Sequence, residues 1–399
     1  MNSKLILLIF ISFVFCQDIN QISFKVNNSS QNSWWSKSNN NGLNPDDSYL
    51  SIEINKQFYN FDLTLTSYLN DKKFILGESF INFSIKENYN LKIGRYYRDF
   101  STYLNDDISS GSMLISKNAL PMPKIGFIGK FFPKRNEKLR FSYGISHAFF
   151  DKNILYRNPP YLHEKYVYLI RKNKIEFGIG FVHEAIWAGS TYNDEQSSKK
   201  FKDFLKILIG ADDELKPGQA HANAMGNHLG IWDFYIKKEN TRDVLKIYYQ
   251  HFFEDTSGLR FANRTDGLWG LEFIDKANKV NYLIEYLNTS NQDRDPPYVK
   301  DSYYNHFEYT LGWSYKGLVI GNPFINNLNP NPLKLIHLGF QTFENNNLQL
   351  KLLLSKRVDI KDSIKYSINA GKKFNQFSIL LYLNGDKDKD LGVKLYYDL

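Results

Sequence analysis

Short segments in which apolar and polar side chains alternate recur along the chain from Ile19 onward, and this pattern constrains the fold more than any other feature. Tyr49 to Ile54, Phe58 to Leu65 and Asn90 to Tyr96 are examples. Alternation with a period of two is typical of β-strands that have one apolar face. Clusters of Asn, Asp, Gly, Lys and Pro separate the segments and indicate turns. We count roughly eighteen candidate strands, each of about ten residues.

Only a closed barrel can place such strands in a membrane. Beyond residue 16 the chain has no run of about 18 apolar residues, which excludes a helical span. Within lipid every backbone N–H and C=O must be paired, so the strands have to close into a ring. The mean hydropathy of −0.44 is compatible with this, because lumen-facing residues lower the average. We therefore predict an all-β fold, a transmembrane antiparallel β-barrel of about 18 strands in the bacterial outer membrane.

The two ends of the chain support this prediction. Residues 1–16 are predicted to be a signal peptide, with Lys4 as the positive charge, Leu5 to Phe15 as the apolar core and cleavage before Gln17. Lipidation of Cys16 is the less favoured alternative, because the preceding residue is large. The last segment puts one apolar set on a single strand face: Leu391, Val393, Leu395, Tyr397 and Leu399. No Gly/Ser-rich linker divides residues 17–399, which we interpret as one barrel domain.

The formal charge of +8, from 50 basic and 42 acidic residues, leaves two interpretations open. Basic residues could favour an acidic polymer or the phosphates of lipopolysaccharide. Mixed, solvated charge is the favoured interpretation, because Lys and Arg are not gathered into one block. We predict contact with outer-membrane lipid and lipopolysaccharide, no nucleic-acid partner and no cofactor.

Two segments depart from the strand pattern. Ser197 to Gly210 is predicted to be an amphipathic helix with Ser197 or Ser198 as its start and Gly210 as its end. We favour packing of this helix against the end of the barrel over binding to a membrane surface. Asp99 to Pro123 is predicted to be a long loop that folds inward or over an opening.

Strand periodicity also predicts which polar groups face the lumen. Trp269, Leu271 and Phe273 are expected to face outward and Glu272 inward, because a charge facing lipid is costly. We group Glu272 with further charged residues in a predicted lumenal polar network, and ion pairs that brace the wall are favoured over substrate contacts. The further members are Glu285, Arg260 and Arg264.

The densest polar cluster lies between Gln219 and Asp233 and contains His221, Asn223, Asn227 and His228. A metal site is weakly supported, because the two histidines lack a typical ligand spacing. A hydrolase is weakly supported, because no nucleophile motif is present. A hydrogen-bonding surface is favoured, either to bind sugar or to hold a loop inside the lumen.

Seven segments, in this order, resemble the capsule assembly Wzi family. They are His163 to Ile170, Phe177 to Gly189, Gln219 to Phe234, Tyr248 to Leu259, Asp266 to Phe273, Ile284 to Gln292 and Tyr303 to Pro323. The resemblance implies an eighteen-stranded outer-membrane barrel with a short helical element at the periplasmic end. It also implies a surface lectin, without enzymatic activity, that attaches or organises capsular polysaccharide or exopolysaccharide.

We therefore predict a polysaccharide-binding barrel, with capsule export machinery as a further partner to consider. The alternative is an outer-membrane porin or saccharide channel, and a hydrolase is a third, weaker option. Neither a catalytic residue nor a metal ligand is assigned. The predicted polysaccharide contacts are Trp187, His221, Asn223, Asn227, His228, Gln250, Glu254, Glu272 and His306.

Overall fold

The computed structural model describes residues 19–27, 38–44, 47–134, 138–152, 156–191, 200–212, 224–292, 302–343, 348–386 and 389–399. The predicted signal peptide lies outside the described residues. So do His221 and Asn223 of the predicted contact set.

Eighteen strands form one antiparallel sheet. They are β1 (Ile19–Asn27), β2 (Tyr49–Gln57), β3 (Phe61–Leu69), β4 (Phe74–Lys86), β5 (Tyr89–Arg95), β6 (Pro123–Phe131), β7 (Leu139–Phe149), β9 (Tyr161–Lys172), β10 (Ile175–Trp187), β12 (Asn227–Glu239), β13 (Asp243–Phe253), β14 (Gly267–Asp275), β15 (Val280–Asn288), β18 (Lys334–Thr342), β19 (Leu348–Arg357), β20 (Lys365–Phe374), β21 (Phe377–Gly385) and β22 (Lys389–Asp398). Two small sheets pair β8 (Tyr156–Asn158) with β11 (Ser190–Thr191) and β16 (Ser314–Tyr315) with β17 (Leu318–Val319).

The large sheet closes into a barrel through its first strand. β1 pairs antiparallel with β2 on one side and with β22 on the other, where Ile22 lies opposite Tyr397. This closure pairs the backbone groups that an open edge would leave exposed to lipid. The predicted fold of about 18 antiparallel strands is confirmed.

Connection length distinguishes the two ends of the barrel. β1 begins and β22 ends on the side of the barrel that has the short turns. The long connections all lie on the opposite side. Short turns face the periplasm in outer-membrane barrels and long loops face outward. We call the two sides the periplasmic end and the outer end.

The two faces of the wall follow the period-two pattern. Trp269, Leu271 and Phe273 of β14 are exposed on the outer face, whereas Glu272 between them is only 1% exposed and faces the lumen. The lipid-facing and lumenal assignments made for this strand are confirmed. An apolar outer face is what a bilayer requires of the wall.

Lumenal tyrosines lie across glycines of the neighbouring strands. Tyr168 is paired with Gly180, and a Cβ on that glycine would lie 2.2 Å from the tyrosine ring. Tyr248 and Gly270 repeat the arrangement, with the nearest ring atom 2.0 Å from the built Cβ. Tyr168 and Tyr248 can therefore lie flat along the wall and reach polar partners inside the lumen.

The described residues contain two helices, α1 (Phe201–Ile209) and α2 (Thr256–Leu259). Neither is long and apolar enough to cross a membrane. α1 lies within the predicted helical segment and ends at Gly210, whose φ of 64° gives the left-handed conformation that glycine tolerates.

The predicted periplasmic position of the helical element is wrong. α1 belongs to the long connection between β10 and β12, which lies at the outer end. It packs against the outer face of the wall instead of the mouth of the barrel. Its apolar residues can do so because the wall below carries small and aromatic side chains, including Ala185 and Trp187.

Candidate functional site

Residues 96–122, between β5 and β6, fold into the lumen, and we call them the plug. The side chain of Gln250 on β13 is hydrogen-bonded to the plug. The Oε1 atom of Gln250 accepts hydrogen bonds from the N–H of Met113 at 3.0 Å and from the Ser112 hydroxyl at 3.3 Å. Its Nε2 donates to the Ser101 hydroxyl at 3.0 Å. The inward fold predicted for the Asp99 to Pro123 loop is therefore present.

Buried carboxylates on the wall hold the plug further. Glu285 accepts hydrogen bonds from the Ser109 hydroxyl and the Ser110 N–H, both at 2.7 Å. Glu272 accepts a hydrogen bond from Asn105 at 3.2 Å and pairs with Lys246 at 2.5 Å. Buried charges are tolerated where they are paired and hydrogen-bonded in this way. The lumenal positions predicted for Glu272 and Glu285 are confirmed, and their contacts brace the plug.

A third carboxylate, Asp233 on β12, completes this set of wall contacts. It accepts hydrogen bonds from the Ser101 hydroxyl at 2.5 Å and from the Tyr168 hydroxyl at 2.6 Å. Tyr103 of the plug donates to the same carboxylate. All of these acceptors are on the barrel wall, so the plug is fixed to the membrane-embedded part of the protein.

Residues 302–333, between β15 and β18, lie over the plug at the outer end, and we call them the cap. The Trp313 indole donates to the carbonyl of Leu114 at 2.8 Å. The Asn322 amide donates to the carbonyl of Gly111 at 2.7 Å. Both Trp313 and Asn322 are fully buried. The plug and the cap therefore close the outer end of the lumen together.

The electrostatics of the plug and cap fit a fixed closure. Burial alone would lower the pKa of Arg98. The carboxylate of Asp106, 2.7 Å from the guanidinium, raises the pKa by more than burial lowers it. The guanidinium therefore stays charged. Burial raises the pKa of Asp266, which directly precedes β14, to about 6, although hydrogen bonds from Asn291 and Tyr303 oppose the shift.

The periplasmic half of the lumen contains a cavity of about 1010 Å³ beneath the plug. Plug residues from Asp99 to Asp107 form its outer boundary, and wall residues such as Lys130 and Arg140 line its sides. Lys92 pairs with Asp99 at 2.8 Å and Lys117 pairs with Asp107 at 3.3 Å. The cavity thus ends at the plug.

The described members of the predicted contact set do not form one site. Gln250 and Glu272 lie in the lumen against the plug. Glu254 accepts the N–H of Tyr304 at 2.6 Å and orients the cap. His306 belongs to the cap, where its Nδ1 accepts the N–H of Glu308 at 3.1 Å.

The remaining three lie at the outer end of β10 and β12. Trp187 packs under α1, with its ring centroid 5.2 Å from that of Phe204. His228 faces outward, and its Nδ1 lies 2.9 Å from Nε2 of His183. Asn227 is buried at the first position of β12. Polysaccharide contact by the whole predicted set stays a prediction.

Arg260 and Arg264 were predicted to face the lumen, and this prediction is wrong. Both are exposed in the connection after α2, outside any strand. β13 ends at Phe253, so period-two counting no longer applies beyond that residue.

Within the described residues, no group of three or more His, Cys, Asp or Glu side chains could hold a metal ion.

Sequence reasoning missed one residue of the cap, Phe307. Its side chain is 59% exposed, and its ring stacks on His306 with centroids 4.6 Å apart. The aromatic run from Tyr303 to Tyr309 breaks the alternation typical of strands and so indicates a loop, but no local pattern distinguishes the exposed Phe307 from the buried Tyr303 and Tyr309.

Comparison with known proteins gives both a fold relative and a family. One solved structure is described as Wzi, a carbohydrate-binding β-barrel of the outer membrane involved in group 1 capsule assembly in Escherichia coli. It matches with a TM-score of 0.65 and 13% identity over 99% of this chain and 88% of that chain. A triple mutant of Rhodopseudomonas blastica porin matches with a TM-score of 0.42 and 9% identity over 96% and 99% of the two chains.

No curated protein matches the chain. The family model described as capsule assembly protein Wzi matches residues 20–388, which includes every barrel strand except Ile19 of β1 and the whole of β22. The protein therefore belongs to the capsule assembly protein Wzi family of outer-membrane barrels.

Proposed function

We propose that this protein binds exported polysaccharide at the cell surface and so attaches or organises a capsule or exopolysaccharide layer. The closed outer end is the observation that carries the proposal. Plug and cap are fixed to each other and to the wall by buried hydrogen bonds, so a polymer chain would have to bind on the outside. Membership of a capsule assembly family supports a polysaccharide as the ligand.

The cap offers a surface of the right chemistry. Phe307 presents an open aromatic face of the kind that packs against the apolar face of a sugar ring, and His306 supports it from behind. Asn305 donates to the carbonyl of Asn327 at 2.9 Å, which brings the Asn-rich segment 326–331 beside this pair. Amide groups donate and accept hydrogen bonds, which suits sugar hydroxyls.

The predicted contacts enter this proposal in two ways. His306 belongs to the proposed surface itself, and Glu254 positions the cap through Tyr304. His221 and Asn223 remain proposed contacts from the connection between α1 and β12. The proposed activity is binding without turnover, and capsule export machinery is a further proposed partner.

Binding by the purified protein tests this proposal. Polysaccharide isolated from the surface of its own host would be immobilised, and the detergent-solubilised barrel passed over it. We expect Phe307→Ala to weaken binding by about fivefold or more, because aromatic contacts contribute about 1 kcal/mol beyond buried area. Tyr59→Ala is the matched control, because Tyr59 is 99% exposed but lies in a periplasmic turn.

Cells give the second readout. A strain without the protein is expected to release into the medium polymer that the wild type retains, with unchanged chain length. Phe307→Ala should reproduce part of this release, whereas Tyr59→Ala should not. If the wild-type protein retains no polymer and the deletion leaves the surface layer unchanged, the proposed function is wrong.

A further inference from the structure

α1 lies on the outer face of the barrel, not over its mouth. The wall residues beneath it share the face of the lipid-exposed Val167 and Ile179, which are 45% and 50% exposed. The Phe204 ring packs on His163 of β9, with centroids 5.2 Å apart, and the Lys165 side chain donates to the carbonyl of Leu208. We call α1 the outer helix.

The inward side of the outer helix is well packed. Ile207 is 1% exposed and packs with Ala185, Trp187 and Ala188 at the end of β10. Phe204 also contacts His147 of β7, at a centroid distance of 6.0 Å. The helix therefore covers a polar, histidine-containing row of the wall that would otherwise face lipid.

An exposed part of the outer helix next to this packed side is apolar as well, and the Phe201 ring centroid lies 6.4 Å from that of Phe204. Phe201, Leu205 and Ile209 are 74%, 45% and 77% exposed, and their spacing of four residues places them in one stripe along the helix. Exposing these side chains to water would forgo the free energy gained by burying them. A helix whose apolar residues cover both its packed side and an adjoining exposed stripe requires an apolar environment beyond the protein.

The height of the outer helix identifies this environment. A rise of about 3.3 Å per residue and a tilt of about 40° put Trp187 about 25 Å above Phe177 along β10. Phe177 is exposed near the periplasmic end, and an apolar band of an outer-membrane barrel is about 25 Å tall. The stripe on the outer helix thus continues the lipid-facing belt at the level of the outer interface.

Two lysines flank the stripe. Lys202 and Lys206 are one turn apart on the half of the helix that faces away from the wall. In the part of the chain that the structure describes, neither forms an ion pair with a carboxylate. Basic side chains beside an inserted apolar stripe are the pattern of helices that bind anionic lipid.

We propose that the outer helix lies in the outer leaflet and binds lipopolysaccharide. Phe201, Leu205 and Ile209 contact its acyl chains, and Lys202 and Lys206 bind the phosphates of its lipid A. Continuity of the stripe with the lipid-facing wall argues for this occupant, and so does the charge of the lysines. The site is independent of the polysaccharide surface on the cap.

Spin labels test the depth of the helix. Leu205→Cys and Ile209→Cys would be labelled in the chain from Gln17 onward, which has no other cysteine, in vesicles that contain lipopolysaccharide. Leu271→Cys on the lipid-facing wall and Leu328→Cys on the exposed cap provide the lipid and water references. We expect both helix positions to collide with oxygen as Leu271→Cys does and to be shielded from a water-soluble nickel complex. Water-like accessibility at both positions would overturn the proposal.

Binding of defined lipids tests the phosphate contact. We expect Lys202→Gln/Lys206→Gln to weaken binding of diphosphorylated lipid A by about 30-fold, given about 1 kcal/mol for each lysine. Binding of dephosphorylated lipid A should not change. Lys72→Gln/Lys361→Gln is the matched control, because it removes two exposed lysines from other outer-end connections. Equal losses for both lipids, no loss for either, or a detergent-stable dimer cross-linked through Leu205→Cys would each overturn the proposal.

Discussion

The carboxylate of Glu285 on the barrel wall accepts a hydrogen bond from the backbone N–H of Ser110 in the plug, at 2.7 Å. The same carboxylate accepts from the Tyr248 hydroxyl at 2.5 Å. One buried side chain therefore joins two strands of the wall to the segment that closes the lumen.

Replacing this acceptor should loosen the plug. Glu285→Ala leaves the Ser110 N–H and the Tyr248 hydroxyl without a partner, at a cost of about 2–4 kcal/mol. We expect faster amide hydrogen exchange across residues 109–113 by about 30-fold or more, with barrel strands unchanged. Glu239→Ala is the control, because Glu239 pairs with Lys276 on the exposed periplasmic surface. Equal protection of the plug in both variants would contradict the assignment.

Gly339 on β18 should be intolerant of a side chain because the plug lies against it. A Cβ there would be 2.4 Å from the carbonyl oxygen of Ile108, which also lies 2.7 Å from Nε2 of His337. Gly339→Val should displace the plug at a cost of about 1–3 kcal/mol, while the barrel still folds. Limited proteolysis of the plug measures the displacement. Leu338→Val, on the lipid face, should leave the plug resistant.

Period-two alternation was sufficient to predict the barrel, its strand number and the orientation of β14. This pattern is reliable because successive side chains of a strand point to opposite faces of the sheet, so Leu271 and Glu272 must point to opposite sides. The position of α1 was not predictable in this way. The spacing of its apolar residues indicates an amphipathic helix. The surface against which the helix packs depends on β7, β9, β10 and β12, which are distant in sequence or separated by loops.

Acidification should stabilise the folded protein through Asp266, because protonation removes the cost of burying its charge. Burial raises the pKa of Asp266 to about 6, above the value of about 3.9 in the unfolded chain. The folded state therefore binds more protons between these values, so the stabilisation is complete below about pH 4 and is lost as the pH rises through about 6.

The thermal midpoint in detergent would be measured between about pH 4.5 and pH 7 for the wild type and Asp266→Asn. We expect the wild type to lose about 2 kcal/mol of stability over this range through Asp266, and the variant to lose less. A steeper pH dependence in the variant would show that Asp266 does not contribute in this direction.

The candidate site was less predictable than the fold. Glu272 was identified as lumenal and Gln250 as a candidate contact. Only the structure shows that their partners are Met113, Ser112 and Asn105 of the plug. A contact between a strand and a loop more than a hundred residues away leaves no local pattern. The exposure of Phe307 was not predictable for the same reason, because the fold of the cap determines which of its aromatic residues are buried.

Because the lumen is closed, we expect the protein not to conduct ions, and this distinguishes it from a porin. In a planar bilayer we expect the wild type to show no steady single-channel current, because Trp313, Asn322 and the plug beneath them are buried and hydrogen-bonded. Replacing residues 101–118 and 302–331 by short Gly/Ser linkers should give steady conductance, since the cavity beneath the plug then connects to the outer side. A variant with the same linker in place of residues 358–362, an exposed turn at the outer end, is the control and should stay silent. Steady current through the wild type would contradict the closure and favour the channel alternative.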